Sequence, residues 1–129
     1  MGDLLVCEGG EGGRCGIVGD GSALPDPCII QNALHRVRPR RQRSVGDASR
    51  NDYLQYVLST VASAGWLNVL TDKATIAHFT AEKFGALLIP IPPVSEQTVI
   101  ARFLDLADQR IRCCIRANEK LLALLGEQK

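Results

Sequence analysis

Arginine is the residue type whose density most invites a chemical reading in this sequence. Of its eleven arginines, six (Arg36, Arg38, Arg40, Arg41, Arg43 and Arg50) fall between residues 36 and 50, where Asp47 is the one acid. A guanidinium is a planar fork that matches phosphate oxygens, or O6 and N7 of guanine, better than a lysine ammonium does. The stretch is therefore read as a candidate DNA contact, with a solvated charged loop as the opposing reading. Because 15 Lys and Arg balance 14 Asp and Glu, the net charge is only +1 and any basic field must be local.

Other chemistries are tested and set aside. Glu8-Gly9-Gly10-Glu11-Gly12-Gly13-Arg14 is rich in glycine but lacks the Gly-Lys-Ser/Thr of a phosphate loop and the fixed glycine offsets of a dinucleotide fingerprint. Its two glutamates would also repel phosphate. Cys7, Cys15, Cys28, Cys113 and Cys114 form an odd set with no Cys-x-x-Cys pair, and neither His35 nor His78 stands at ligand spacing from a cysteine. Small buried thiols in a reducing compartment are expected, with no metal. Without a placed nucleophile or paired carboxylates, no catalytic residue is assigned.

The elements that would position the arginines follow from composition and period. Eight of twelve glycines precede residue 22 and flank Leu4-Leu5-Val6-Cys7 and Cys15-Gly16-Ile17-Val18, a strand, turn, strand pattern. Residues 28 to 38 read as a further strand ended by Pro39, and Arg40 to Asp47 as an exposed loop. Asn51 or Asp52 can cap a helix carrying Leu54, Val57, Leu58, Val61 and Ala62, with Gly65 at its end. Residues 74 to 79 read as extended, Thr80 caps a helical turn, and Ala86 to Pro93 reads as an edge strand stopped by prolines. No aromatic residue precedes Tyr53, which counts against a base-stacking single-strand binder.

The last segment is the most regular. Ser95 is a good N-cap, Glu96 opposes the helix dipole, and nothing from Gln97 to Leu125 breaks a helix. About 33 residues make a rod of roughly 50 Å. Its seam is read as Ile100, Phe103, Ala107, Ile111, Cys114, Asn118, Leu121 and Leu125, spaced 3, 4, 4, 3, 4, 3 and 4, with one extra step of four. A seam this long outruns the rest of a 129-residue chain, so a helix from another chain is expected to cover it, with folding back onto its own domain as the other reading. With 46% hydrophobic and 22% charged residues, the chain fits one soluble domain or a small domain plus an appendage. No apolar run approaches the roughly 18 residues of a membrane span, and no basic segment precedes an apolar run at the start, so a cytoplasmic location is the default expectation.

Three segments together carry a family resemblance: Gly2-Asp3-Leu4-Leu5-Val6, then Asn32-Ala33-Leu34-His35-Arg36-Val37-Arg38-Pro39, then Ile89-Pro90-Ile91-Pro92-Pro93-Val94-Ser95-Glu96-Gln97-Thr98-Val99-Ile100-Ala101 leading a long helix. The chain resembles the specificity subunit of type I restriction-modification systems. The resemblance implies an α+β fold: a partial target recognition domain over residues 1–93, built from β-hairpins and short helices, and a coiled-coil-forming spacer helix over 94–129. It implies the latter part of one recognition domain, where a full subunit has two, each reading one part of a split DNA site. It implies a non-catalytic half-subunit whose partners are double-stranded DNA, methyltransferase and restriction subunits, and a second copy or another half-subunit joined through the helix. No cofactor is expected, since S-adenosylmethionine would belong to the methyltransferase. The alternatives are a helix-mediated assembly module, or a decayed gene remnant, without DNA readout of its own.

Overall fold

Residues 4 to 7 are all apolar, with Leu4 and Val6 buried and Leu5 and Cys7 half-buried, a pattern suited to the central strand of a sheet. The computed structural model describes residues 2–9, 12–19, 25, 28–39, 50–66 and 78–126. Strand β1 (Leu4–Cys7) lies between β2 (Cys15–Ile17) and β3 (Leu34–Val37), antiparallel to both. Leu4 pairs with Ile17 on one side and Val37 on the other. The glycine-rich connection is a hairpin, as its pattern predicts: Cys7 N–H donates to Arg14 O, and Gly13, at φ 82°, returns its N–H to Cys7 O. That left-handed backbone is open to glycine at little cost.

Helix α1 (Asn51–Ser63) packs its Tyr53, Leu54 and Leu58 on Leu4, Val6 and Phe79, and these six side chains form the core. It ends at Gly65, φ 75°, as expected. The cap differs from expectation. Arg50 occupies the N-cap position without a side-chain bond, while the Asp52 carboxylate accepts from Tyr53 N–H inside the first turn. Thr80 does cap the short helix α2 (Ala81–Ala86), accepting from Lys83 N–H at 3.4 Å.

Two expected strands are corrected. Of residues 28 to 38 only Leu34–Val37 are strand. The ladder pairs Leu34 with Cys7, so Ile29 and Ile30 would need partners beyond the end of β1, where the chain is already turning. Ala86 ends α2, and Leu87 to Pro93 runs extended without a ladder among the described residues. Three prolines there have no N–H to give. Their carbonyls are used instead, Pro90 O by Tyr53 OH at 3.0 Å and Pro92 O by Gln97 Nε2 at 2.7 Å. Of the expected extended piece over residues 74 to 79, only His78 and Phe79 are described, and Phe79 N–H donates to Glu8 O.

Helix α3 (Val94–Gly126) has 33 residues and starts one position before Ser95, which therefore sits in its first turn rather than capping it. Gln97 and Ala101 are buried against the body and Leu104 is half-buried, whereas every residue from Gln109 to Gly126 is exposed. The helix thus leans on its own chain for its first turns and projects beyond it, which joins the two readings of the seam. The architecture is α+β.

Phe79 tests the core. It is 1% exposed and meets Phe84 edge-on at 5.3 Å between centroids. Phe79→Ala is expected to lower the unfolding free energy by about 3–5 kcal/mol. Urea titration checks this, and a loss below about 1 kcal/mol would place the aromatic cluster outside the folding core.

Candidate nucleic-acid interface

The six arginines do not form one uniform patch. Arg36 is exposed on β3, at the edge of the sheet, close enough for its charge to act on Asp3. Arg38, two residues on, is tied to Asp3 by a two-pronged bond of 2.5 and 2.7 Å. The Arg38 guanidinium holds the Asp3 carboxyl below its ordinary value. Arg50 lies at the start of α1, bonded to Asp52 at 2.6 Å. Burial works against the Asp52 charge, but Arg50 and the Tyr53 N–H outweigh it and hold that carboxyl low. Arg40, Arg41 and Arg43 lie outside the described residues.

Beside Arg36 the sheet edge and α2 enclose an open groove of about 410 Å³, lined by Leu34, His35, Arg36, Val37, Arg38, Ala81 and Phe84. His35 Nε2 lies 2.7 Å from Phe79 O. A carbonyl can only accept, so Nε2 carries the proton. The imidazole stacks on Phe84 at 5.9 Å between centroids, with planes 30° apart, and Glu8 Oε2 stands 4.0 Å from Nε2. The lining offers a guanidinium and an aromatic ring to a ligand, with the Glu8 carboxylate close by. Sequence reasoning missed His35 and Phe84 here. Their separation of 49 positions leaves no local signal, although the alternation of β3 does place His35 between Leu34 and Arg36.

Along α3 a second line can be drawn beside the expected seam. Leu104 is half-buried while Phe103 is 69% exposed, so the line that begins at Ile100 runs through Leu104. The seam then reads Ile100, Leu104, Ala107, Ile111, Cys114, Asn118, Leu121 and Leu125, spaced 4, 3, 4, 3, 4, 3 and 4, an unbroken heptad repeat. This line lacks the extra step of four of the expected one through Phe103, which runs beside it. Tyr56 OH donates to Asp105 at 2.6 Å and ties α1 to the side of this helix, a bond that pushes the phenol up to about 12. The thiols expected to be buried are not: Cys28, Cys113 and Cys114 are exposed and Cys7 and Cys15 half-buried, because the long helix and the segment before β3 leave their cysteines uncovered in the single chain.

The described residues thus form a small antiparallel sheet with an edge groove and a long helix whose apolar side chains beyond Gln109 are exposed. The family comparison gives this architecture its name: residues 3–122 match the type I restriction modification DNA specificity domain, and the chain belongs to that family. Its role is DNA recognition within a type I restriction-modification system. No curated protein and no solved structure matches the chain. Among the described residues no helix is long and apolar enough to cross a membrane, and no group of His, Cys, Asp and Glu could hold a metal ion.

Proposed function

We propose that this chain is a non-catalytic half-subunit that pairs through α3 and directs methyltransferase and restriction subunits to a split DNA site. The observation that carries the reading is the bare seam: from Ile111 to Leu125 the larger apolar side chains of α3 are 50% to 69% exposed, in a chain of the specificity family. An apolar stripe of that length on a projecting helix calls for a partner. The seam is also its own complement. Laid antiparallel on a second copy, with paired residue numbers summing to 225, it sets Ile100 on Leu125, Leu104 on Leu121, Ala107 on Asn118 and Ile111 on Cys114. Phe103 then flanks Leu124 of the second copy. A two-fold axis generates every layer twice. S-adenosylmethionine chemistry belongs to the methyltransferase in this reading, and no cofactor is assigned to the chain.

The antiparallel register makes Ile111→Cys a test. The new thiol would face Cys114 of the second copy, and mild oxidation is expected to give a disulfide-linked dimer of this variant but not of the wild type. A parallel, in-register pair would instead place Cys114 on Cys114, so efficient cross-linking of the wild type defeats the antiparallel model.

DNA contact is proposed for Arg36 in its groove and for Arg40, Arg41 and Arg43. Arg38 and Arg50, each held by a carboxylate, contribute less. With about four phosphates neutralised per chain, each bound chain is expected to contribute about −3.6 to the slope of log affinity against log salt. Changing Arg40, Arg41 and Arg43 together to Ser is expected to bring that contribution to about −0.9 and to weaken all duplexes alike. A titration of a random-sequence duplex at several salt concentrations tests it, and equal binding of variant and wild type at low salt rejects it. The two neutralised arginines favour a second reading, an assembly module without DNA readout. On that reading the wild type binds DNA no better than a neutral protein does.

A further inference from the structure

Gln97 is 1% exposed, the one polar side chain in the buried set among the described residues. A buried amide is costly unless both its ends are bonded. Here both are, and to different parts of the chain: Oε1 accepts from Arg50 N–H at 2.9 Å, and Nε2 donates to Pro92 O at 2.7 Å. One side chain on the first turns of α3 therefore holds the start of α1 and the extended segment that enters α3. Tyr53, in the core, reaches the same segment through its hydroxyl on Pro90 O. An apolar residue at position 97 would fill the same space with no preferred direction, whereas two bonds from a planar amide fix how the helix leaves the body.

The consequence is mechanical. A body of about 95 residues puts a DNA-facing surface roughly 20 Å from this junction. A tilt of about 10° there moves that surface by about 3.5 Å, close to the rise of one base pair. We propose that Gln97, assisted by Tyr53, is a positioning residue that locks the angle between the sheet-bearing body and the α3 rod and so sets the gap between the two DNA half-sites. This rests on the proposed two-fold DNA-binding assembly. Gln97 touches no DNA in it; its effect is carried by the angle alone.

The test uses the full chain as wild type, Gln97→Met, Tyr53→Phe and the double variant. Spin labels on non-canonical residues at positions 59 and 116, diluted with unlabelled chain, report the angle between α1 and the rod. In the double variant the distance distribution is expected to broaden by about 4 Å, the arc of about 10° over 16 residues of helix. Duplexes recovered by the wild type from a random pool are then rebuilt with the gap lengthened or shortened by one base pair. The wild type is expected to prefer its own gap by about tenfold or more, and the variants by about threefold or less, while affinity for a single half-site stays the same. Tyr53→Phe keeps the ring in the core, so a smaller shift in the same direction from this variant separates a lost clamp from misfolding. An unchanged distance distribution overturns the clamp. A broadened distribution with an intact gap preference overturns its role in spacing. If the wild type recovers no duplex, the DNA reading fails and the spacing role with it, and that failure is distinct because it appears before any variant is made.

Discussion

Leu121→Asp is expected to turn a dimer into a monomer. Leu121 is 55% exposed in the single chain, so the substitution takes away little that holds the fold. In the antiparallel register it faces Leu104 of the second copy, a side chain already half-buried in the single chain. A carboxylate placed there has no cation across the layer, and symmetry places two of them in the assembly. At about 3 kcal/mol or more for each unpaired buried charge, association weakens by about four orders of magnitude. Asn118→Leu acts in the other direction. It replaces a polar seam residue with an apolar one, so pairing should tighten while register and oligomer state loosen. Sedimentation over a range of concentrations decides both. If wild type and Leu121→Asp sediment as the same monomer, α3 packs only within its own chain and the half-subunit reading loses its basis.

How much of this was legible in the sequence depended on whether the deciding contact was local. The hairpin, α1 and α3 follow from periods of 2 and 3.6 that any nearby apolar surface would select, and the structure has all three. The strand expected over residues 28 to 33 fails for a non-local reason: its β-branched residues are suited to a sheet, but β1 ends before reaching them. Leu87 to Pro93 fails because its carbonyls found Tyr53 and Gln97, partners 37 and 5 positions away, in place of a neighbouring strand. The choice between Phe103 and Leu104 could not be made from spacing, since steps of three and four from Ile100 lie on the same side of a helix. Half-burial of Leu104 in the single chain distinguishes the two residues. Among the arginines, the Asp52 partner of Arg50 was near in sequence, whereas Asp3 meets Arg38 only because β3 lies antiparallel beside β1. Charge density alone thus did not show that Arg38 and Arg50 have carboxylate partners.

The preferred DNA of the paired chain is expected to be an inverted repeat of fixed spacing. Identical chains related by a two-fold axis present identical reading surfaces in opposite senses, and a palindromic site is the matching arrangement. The separation follows from the helix. The body grips α3 between Gln97 and Asp108, centred near residue 102, and the axis of the 225 register falls between residues 112 and 113. The two grips are then about 32 Å apart along the rod. That is about nine base pairs, close to one helical turn, so both bodies can meet the same side of a duplex. One half-site alone should bind weakly. Two at the matching spacing gain from effective concentration, by about 10² or more, and lose that gain when half a turn is inserted. Selection from random duplexes, with the chain alone and then with its methyltransferase, reads this directly. An asymmetric site, or half-sites at scattered spacings, would defeat the symmetric pair and leave a different half-subunit as the partner of α3.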